Sequence, residues 1–127
     1  MVWYDTRNSA TGNDIYGYDI AGESEFVICD DEGSQVRPAI DGNWVVWLDN
    51  RSGTYQLYGC QLVLPASLIG YEIVPLSPSG YEQGYPSISG NIVVWHEQRS
   101  EATGYDIYGF RLDTREEFLI CSAAGWQ

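Results

Sequence analysis

Between Asn43 and Asp49, apolar side chains occupy both parities of an extended chain, with Val45 and Trp47 on one face and Trp44, Val46 and Leu48 on the other. A short segment that is apolar on both faces predicts a strand covered from two sides. The run Asp14-Ile-Tyr-Gly-Tyr-Asp-Ile20 predicts a second kind of strand, with Tyr16, Tyr18 and Ile20 sharing one face and Ile15, Gly17 and Asp19 the other. Glycine in mid-strand weakens a sheet unless something must approach the backbone. The expectation here is a neighbouring sheet stacked closely on Gly17, and equally on Gly59 and Gly109. Turn chemistry separates the strands at Asp41-Gly-Asn43, Ser89-Gly-Asn91, Asn50-Arg-Ser-Gly53 and Ala21-Gly-Glu23. Pro38 and Pro86 are expected at the start of a strand, where a missing amide donor is tolerated. No segment holds a 3.6-residue apolar period long enough for a helix.

These elements recur. Gly42-Asn-Trp-Val-Val-Trp-Leu-Asp-Asn-Arg-Ser52 returns as Gly90-Asn-Ile-Val-Val-Trp-His-Glu-Gln-Arg-Ser100, and Met1-Val-Trp-Tyr-Asp-Thr-Arg7 is a clipped copy. Asp14-Ile-Tyr-Gly17 returns as Gln56-Leu-Tyr-Gly59 and Asp106-Ile-Tyr-Gly109, and Glu25-Phe-Val-Ile-Cys29 as Tyr71-Glu-Ile-Val-Pro-Leu76 and Glu117-Phe-Leu-Ile-Cys121. A period of about 45 residues belongs to four-stranded propeller blades. The fold class is therefore all-β, a β-propeller of three tandem four-stranded antiparallel blades at about 1–36, 37–84 and 85–127, the first lacking its first strand. Extra residues around Leu64-Pro-Ala-Ser-Leu68 belong in a loop of the middle blade. Closed propellers have about four to eight blades. Three blades therefore imply either a piece of a longer array or two copies associating into a six-bladed ring.

The succession Pro-x-Ile-x-Gly-Asn-x-Val-Val-Trp, Asp-x-Arg and Asp-Ile-Tyr-Gly resembles the TolB-type (WD40-like, PD40) propeller repeats, especially those of bacterial and archaeal cell-surface and surface-layer proteins. The likeness spans essentially the whole chain. It departs from the commoner form where Ile-Asp-Gly-Asn and Ile-Ser-Gly-Asn replace a Ser-Pro-Asp-Gly turn. The resemblance implies a scaffold or a protein- or glycan-binding module outside the cytoplasm, at the cell surface or in the periplasm, and names no ligand. It leaves two alternatives open. One is the propeller part of a hydrolase or lyase whose catalytic groups lie outside this chain, and the other a periplasmic TolB-like partner of envelope proteins.

Composition narrows the partners. Eighteen acidic residues face six basic ones, all arginine, for a formal charge of −12. That balance repels nucleic-acid phosphates and anionic lipid headgroups. No apolar run is long enough for a transmembrane helix, and no signal-peptide pattern is present. Three cysteines form no disulfide framework or metal motif. Cys29 and Cys121 are expected to be small buried residues of outer strands.

Candidate chemistry is sparse. Asp5/Arg7, Asp49/Arg51 and Glu97/Arg99 occur once per repeat and are expected to brace turns. His96, the one histidine, stands where the other repeats have Tyr4 and Leu48. Alone it makes neither a triad nor a metal set, so no catalytic, cofactor or metal residues are assigned. Asp30-Asp31-Glu32-Gly33 lacks the ligand spacing of a calcium loop. Asn50-Arg51-Ser52 matches a glycosylation sequon. Ligand contacts are expected where repeats differ. The irregular aromatics Tyr55, Tyr71, Tyr81, Tyr85 and Trp126, with His96, are the candidate surface for stacking on sugar or protein.

Overall fold

The computed structural model describes residues 1–8, 10, 12–62, 72–100 and 104–122. Tyr71, Trp126 and the extra residues at 64–68 lie outside the described set. Three antiparallel meanders follow one another along the chain. The first sheet holds β1 (Val2–Asp5), β2 (Asp14–Asp19) and β3 (Ser24–Cys29). The second holds β4 (Gln35–Asp41), β5 (Trp44–Asp49), β6 (Gln56–Gln61) and the short β7 (Val74–Pro75). The third holds β8 (Gln83–Ser89), β9 (Ile92–Ser100), β10 (Gly104–Arg111) and β11 (Glu116–Cys121). No helix occurs among the described residues.

Each hairpin from first to second strand closes on two residues, Gly42–Asn43 or Gly90–Asn91, with the glycines at φ 58° and 59°. This is the position where tight hairpins require a residue without a Cβ. In the ladders that follow, Trp47 stands opposite Tyr58 and Trp95 opposite Tyr108.

Both prolines sit inside their strands rather than at the start. The ladder shifts between Val36 and Ala39, and again between Gly84 and Ser87, so that two residues oppose one. Such a bulge leaves a residue unpaired, which is where a strand accepts proline. The residues before them, Arg37 and Tyr85, take φ of 53° and 50°. Both strands therefore begin ahead of the prolines, at Gln35 and Gln83.

The mid-strand glycines also have a different cause from the one expected. A Cβ on Gly17 would stand 2.6 Å from the Phe26 ring, and one on Gly109 would stand 2.4 Å from the Phe118 ring. Those phenylalanines are their cross-strand partners. The glycine thus makes room for a ring of its own sheet lying across the backbone. At Gly59 the close atoms are Leu76 Cδ1 and the Val45 carbonyl oxygen, each at 3.1 Å.

Two cores lie between the sheets. Ile15, Ile28 and Cys29 of the first sheet meet Val45, Trp47 and Cys60 of the second. Val46, Leu57 and Leu76 of the second meet Val93, Trp95 and Phe110 of the third. The strand that is apolar on both faces is therefore the one covered from both sides, and Val45, Val46 and Trp47 are fully buried. Each such side chain contributes about 1.5–3 kcal/mol relative to exposure. Polar seams join the sheets as well. Gln83, buried, accepts the Leu57 N–H at 2.6 Å and donates to the Ser77 carbonyl at 2.7 Å. Asn50 Oδ1 accepts the Ser34 N–H at 2.6 Å, so the sequon asparagine closes the seam between first and second sheets.

Candidate functional site

The acid and arginine pairs resolve into one repeated unit. The indole N–H donates to the acid two residues on: Trp3 to Asp5 at 3.1 Å, Trp47 to Asp49 at 3.3 Å and Trp95 to Glu97 at 3.0 Å. The arginine two residues further binds the same carboxylate, at 2.6 Å for Arg7 and Arg51 and 3.1 Å for Arg99. It lies over the tyrosine of the next strand, with Arg7, Arg51 and Arg99 at 4.1, 4.5 and 4.0 Å from the Tyr16, Tyr58 and Tyr108 rings.

A buried acid held this way is fully engaged. Burial opposes ionisation of Glu97, but hydrogen bonds from Arg99, Ser79, Trp95 and Gln83 outweigh it and leave the carboxyl below its usual pKa. The Arg7 hydrogen bonds hold the more open Asp5 down to about 2. These units brace each sheet along its tryptophan-bearing strand, and their carboxylates are taken up by indole and guanidinium donors. Asp31 is likewise committed, to Arg51 at 3.0 Å. Among the described residues no three His, Cys, Asp or Glu side chains gather as metal ligands.

The repeats differ at the inner end of the sheets, where β1 and β8 flank β4. A cleft of about 470 Å³ opens there, and Tyr55, Tyr85 and His96 line it together with Tyr4, Arg37 and Tyr105. A second hollow of about 510 Å³ shares Tyr4, Arg37 and Tyr85 with it. His96 stacks on Tyr105 with ring centres 4.7 Å apart and meets the edge of Tyr85 at 4.9 Å. Arg37 lies 4.5 Å from the centre of the Tyr85 ring.

One local exchange creates this cluster. In the second sheet Val36 faces Leu48 across the ladder, and in the third Gly84 faces His96. A Cβ on Gly84 would stand 2.2 Å from His96 Nε2. The imidazole thus fills the space of the missing valine side chain. Burial lowers its pKa, so the ring is neutral at physiological pH and works as an aromatic surface and hydrogen-bonding group.

Of the sequence candidates, the structure brings Tyr55, Tyr85 and His96 into one cleft. Tyr81 lies elsewhere, half exposed in the turn before β8, where its carbonyl accepts from Gln56 Nε2. Sequence reasoning missed Arg37, Tyr4, Tyr105 and the enabling Gly84. A position-by-position comparison of repeats holds the signal, since Arg37 and Tyr85 occupy the same place before a proline. Arg37 takes part in no ion pair with a described carboxylate, whereas Arg7, Arg51 and Arg99 each hold two. The cleft offers flat rings, a guanidinium with available donors and a neutral imidazole, with Glu82 at its rim. That set can stack on and hydrogen-bond a ligand.

Cys121 departs from expectation. Cys29 and Cys60 are buried, and burial pushes their thiols to about 12. Cys121, at the equivalent position in the third sheet, is exposed.

No protein-family model and no curated protein sequence matches the chain. Solved structures do. A protein described as TolB from Agrobacterium tumefaciens superposes with a TM-score of 0.64 at 20% identity, over 89% of this chain and 42% of its own. The tricorn protease matches with the same TM-score at 19% identity, over 91% of this chain and 10% of its own. The chain thus spans less than half the length of either. The three sheets have the β-propeller fold of these proteins, and the likeness to TolB-type repeats holds at the level of fold.

Proposed function

We propose that this chain is a non-catalytic propeller segment of an exported or cell-surface protein, serving as a scaffold whose inner cleft binds a protein or glycan ligand. The observation that supports this reading is the exchange of Val36/Leu48 for Gly84/His96. Beside the aliphatic pair of the second sheet, the third sheet presents an imidazole seated among tyrosines, at a position where the repeats diverge. Stacking rings beside a few directed polar groups suit sugar faces and peptide side chains. The acidic surface argues against nucleic acid as the partner.

The sole histidine makes the test direct, because its ring protons are a single reporter inside the cleft. Titration with a neutral oligosaccharide series, a uronic-acid series and short aromatic peptides should move those resonances saturably for one series. Arg37→Ala and Tyr85→Ala should each weaken that binding at least tenfold. Unmoved His96 signals with all three series at millimolar concentration would remove the reading, and turnover of any probe would remove its non-catalytic part. The tricorn likeness favours a second reading, in which the segment is the propeller of a hydrolase whose catalytic groups lie outside it. Cleavage by a longer chain containing this segment, reduced by Tyr85→Ala, would support that version.

A further inference from the structure

Among the described residues, four arginines lie over tyrosine rings, and three of them complete the same arrangement. Arg7, Arg51 and Arg99 stack on Tyr16, Tyr58 and Tyr108 while their edges bind carboxylates, those of Asp5 and Glu25, Asp49 and Asp31, and Glu97 and Glu117. A stacked guanidinium gives its face to the ring and keeps its N–H fork in plane for an acid. Arg37 is the fourth. It lies 4.5 Å from the centre of the Tyr85 ring, as far as Arg51 from Tyr58, but no described carboxylate takes its edge.

Backbone geometry puts that open edge where a ligand can reach it. Arg37 and Tyr85 are equivalent residues of β4 and β8, the first strands of the two four-stranded sheets. Both take a left-handed φ inside a bulge, 53° and 50°. Residues with a side chain occupy that region at a cost, and such strain collects where a site needs a group aimed away from its ladder. The two bulges bring Arg37 and Tyr85 together in the cleft that Tyr55 and Glu82 also line. Propellers keep their first strands along a central channel, so this edge stays open whatever sheets flank these two.

We infer that the cleft selects a carboxylated sugar, its carboxylate held by the free edge of Arg37. The inference rests on the reading of the cleft as a ligand surface and names the group that surface selects. The ligand then supplies the acid that Asp5, Asp49 and Glu97 supply in the other three stacks. A sugar acid carries in one ring what the cleft sets apart: an anion for Arg37, hydroxyl donors for Glu82 and a C–H face for the tyrosines. A peptide carboxy-terminus brings the anion without the array of hydroxyls. The formal charge of −12 repels a densely charged polyuronate as a whole, so the fitting glycan has single carboxylates spaced among neutral sugars.

Calorimetric titration of the 127-residue chain with a matched pair tests this. One ligand is an oligosaccharide with a single glucuronate among neutral sugars, and the other is the same molecule with that carboxyl reduced to the alcohol. The acid should bind about tenfold or more tighter, and added salt should narrow the gap. Arg37→Gln should lower the acid's affinity to that of the reduced sugar and leave the reduced sugar's affinity unchanged. Arg37→Lys should recover only part of the gap, because an ammonium has the charge without the fork. Arg37 is exposed, so the circular dichroism of both variants should match wild type. Should either unfold, the methyl ester of the acid makes the same comparison on the unaltered protein.

Equal binding of acid and reduced sugar, with Arg37→Gln without effect, would overturn the inference and leave the cleft a site for neutral glycans. Binding of an amino-blocked aromatic peptide through its free carboxylate, with no response to either sugar, would overturn it in favour of a peptide. Silence toward the sugars and the peptide alike would remove the ligand reading of the cleft, and the inference with it.

Discussion

Replacing Gly84 by valine restores the residue that the second sheet has at Val36, and it tests whether the cleft exists because of a glycine. The new Cβ would lie 2.2 Å from His96 Nε2, well inside contact distance, so the imidazole must leave its place between Tyr105 and Tyr85. Two ring contacts are lost, each worth about 0.5–1.5 kcal/mol. The displaced ring can swing toward solvent on the open side of the third sheet, so the overpacking penalty falls at the low end of its range of about 1–3 kcal/mol. The single substitution should therefore cost about 2–4 kcal/mol by these magnitudes. His96→Leu alone loses the same ring contacts and should cost about 1–3 kcal/mol. The double variant rebuilds the Val36/Leu48 pair and should lie close to wild type. Urea unfolding of all four proteins, followed by tryptophan fluorescence, gives the coupling energy of the cycle. At least 1 kcal/mol in favour of the double variant is expected, within the range for residues in contact. Additivity to within about 0.5 kcal/mol would mean that glycine and histidine do not share this space, and the account of the cleft would fall.

Three further outcomes follow from the same geometry. Gln83→Leu orphans the buried Leu57 N–H and should destabilise by about 2–3 kcal/mol. Gln35→Leu should cost at least 1 kcal/mol less, because Gln35 Oε1 has no partner among the described residues and only its Nε2 bond to the Asp31 carbonyl is lost; equal losses in thermal unfolding would contradict the seam assignment. The folded pKa values of Asp5 and Glu97 are depressed. The stability they contribute is therefore present above the unfolded carboxylate range near pH 4 and is lost as pH falls through the folded values. Glu97→Gln should flatten the pH dependence of unfolding in that acid window, and an unchanged slope would count against it. The folded pKa of His96 is also depressed. For a base this means the unfolded chain binds the proton first, so stability falls as pH drops below about 6.5. His96→Leu should abolish that component, as pH-dependent calorimetry can read.

Strand positions and sheet order were legible because they depend on local periodicity and on a repeat that states it three times. Trp47 flanked by Val45 and Val46 can be satisfied only with cover on both sides, and the Gly-Asn dipeptides at 42 and 90 allow little besides tight hairpins. The Trp-acid-Arg units were legible as structure for the same reason, recurrence at a constant spacing of two. The cleft was half legible. Divergence between repeats pointed to His96, Tyr55 and Tyr85, but Arg37 looked like part of an ordinary Val-Arg-Pro strand opening, and Gly84 gave no sign of serving a side chain twelve residues on.

The sequence by itself determined that the chain is an array of antiparallel meanders, since alternation and turn chemistry act over a few residues and need no distant partner. Tertiary structure alone decided which divergent residues meet. Arg37 and Tyr85 reach the cleft because bulges turn the backbone ahead of Pro38 and Pro86, and Tyr105 reaches it by stacking on His96. Cys29 and Cys121 likewise stand at equivalent positions, one buried and the other exposed. Burial is a property of what packs against a face, and two equivalent positions in a repeat need not share it.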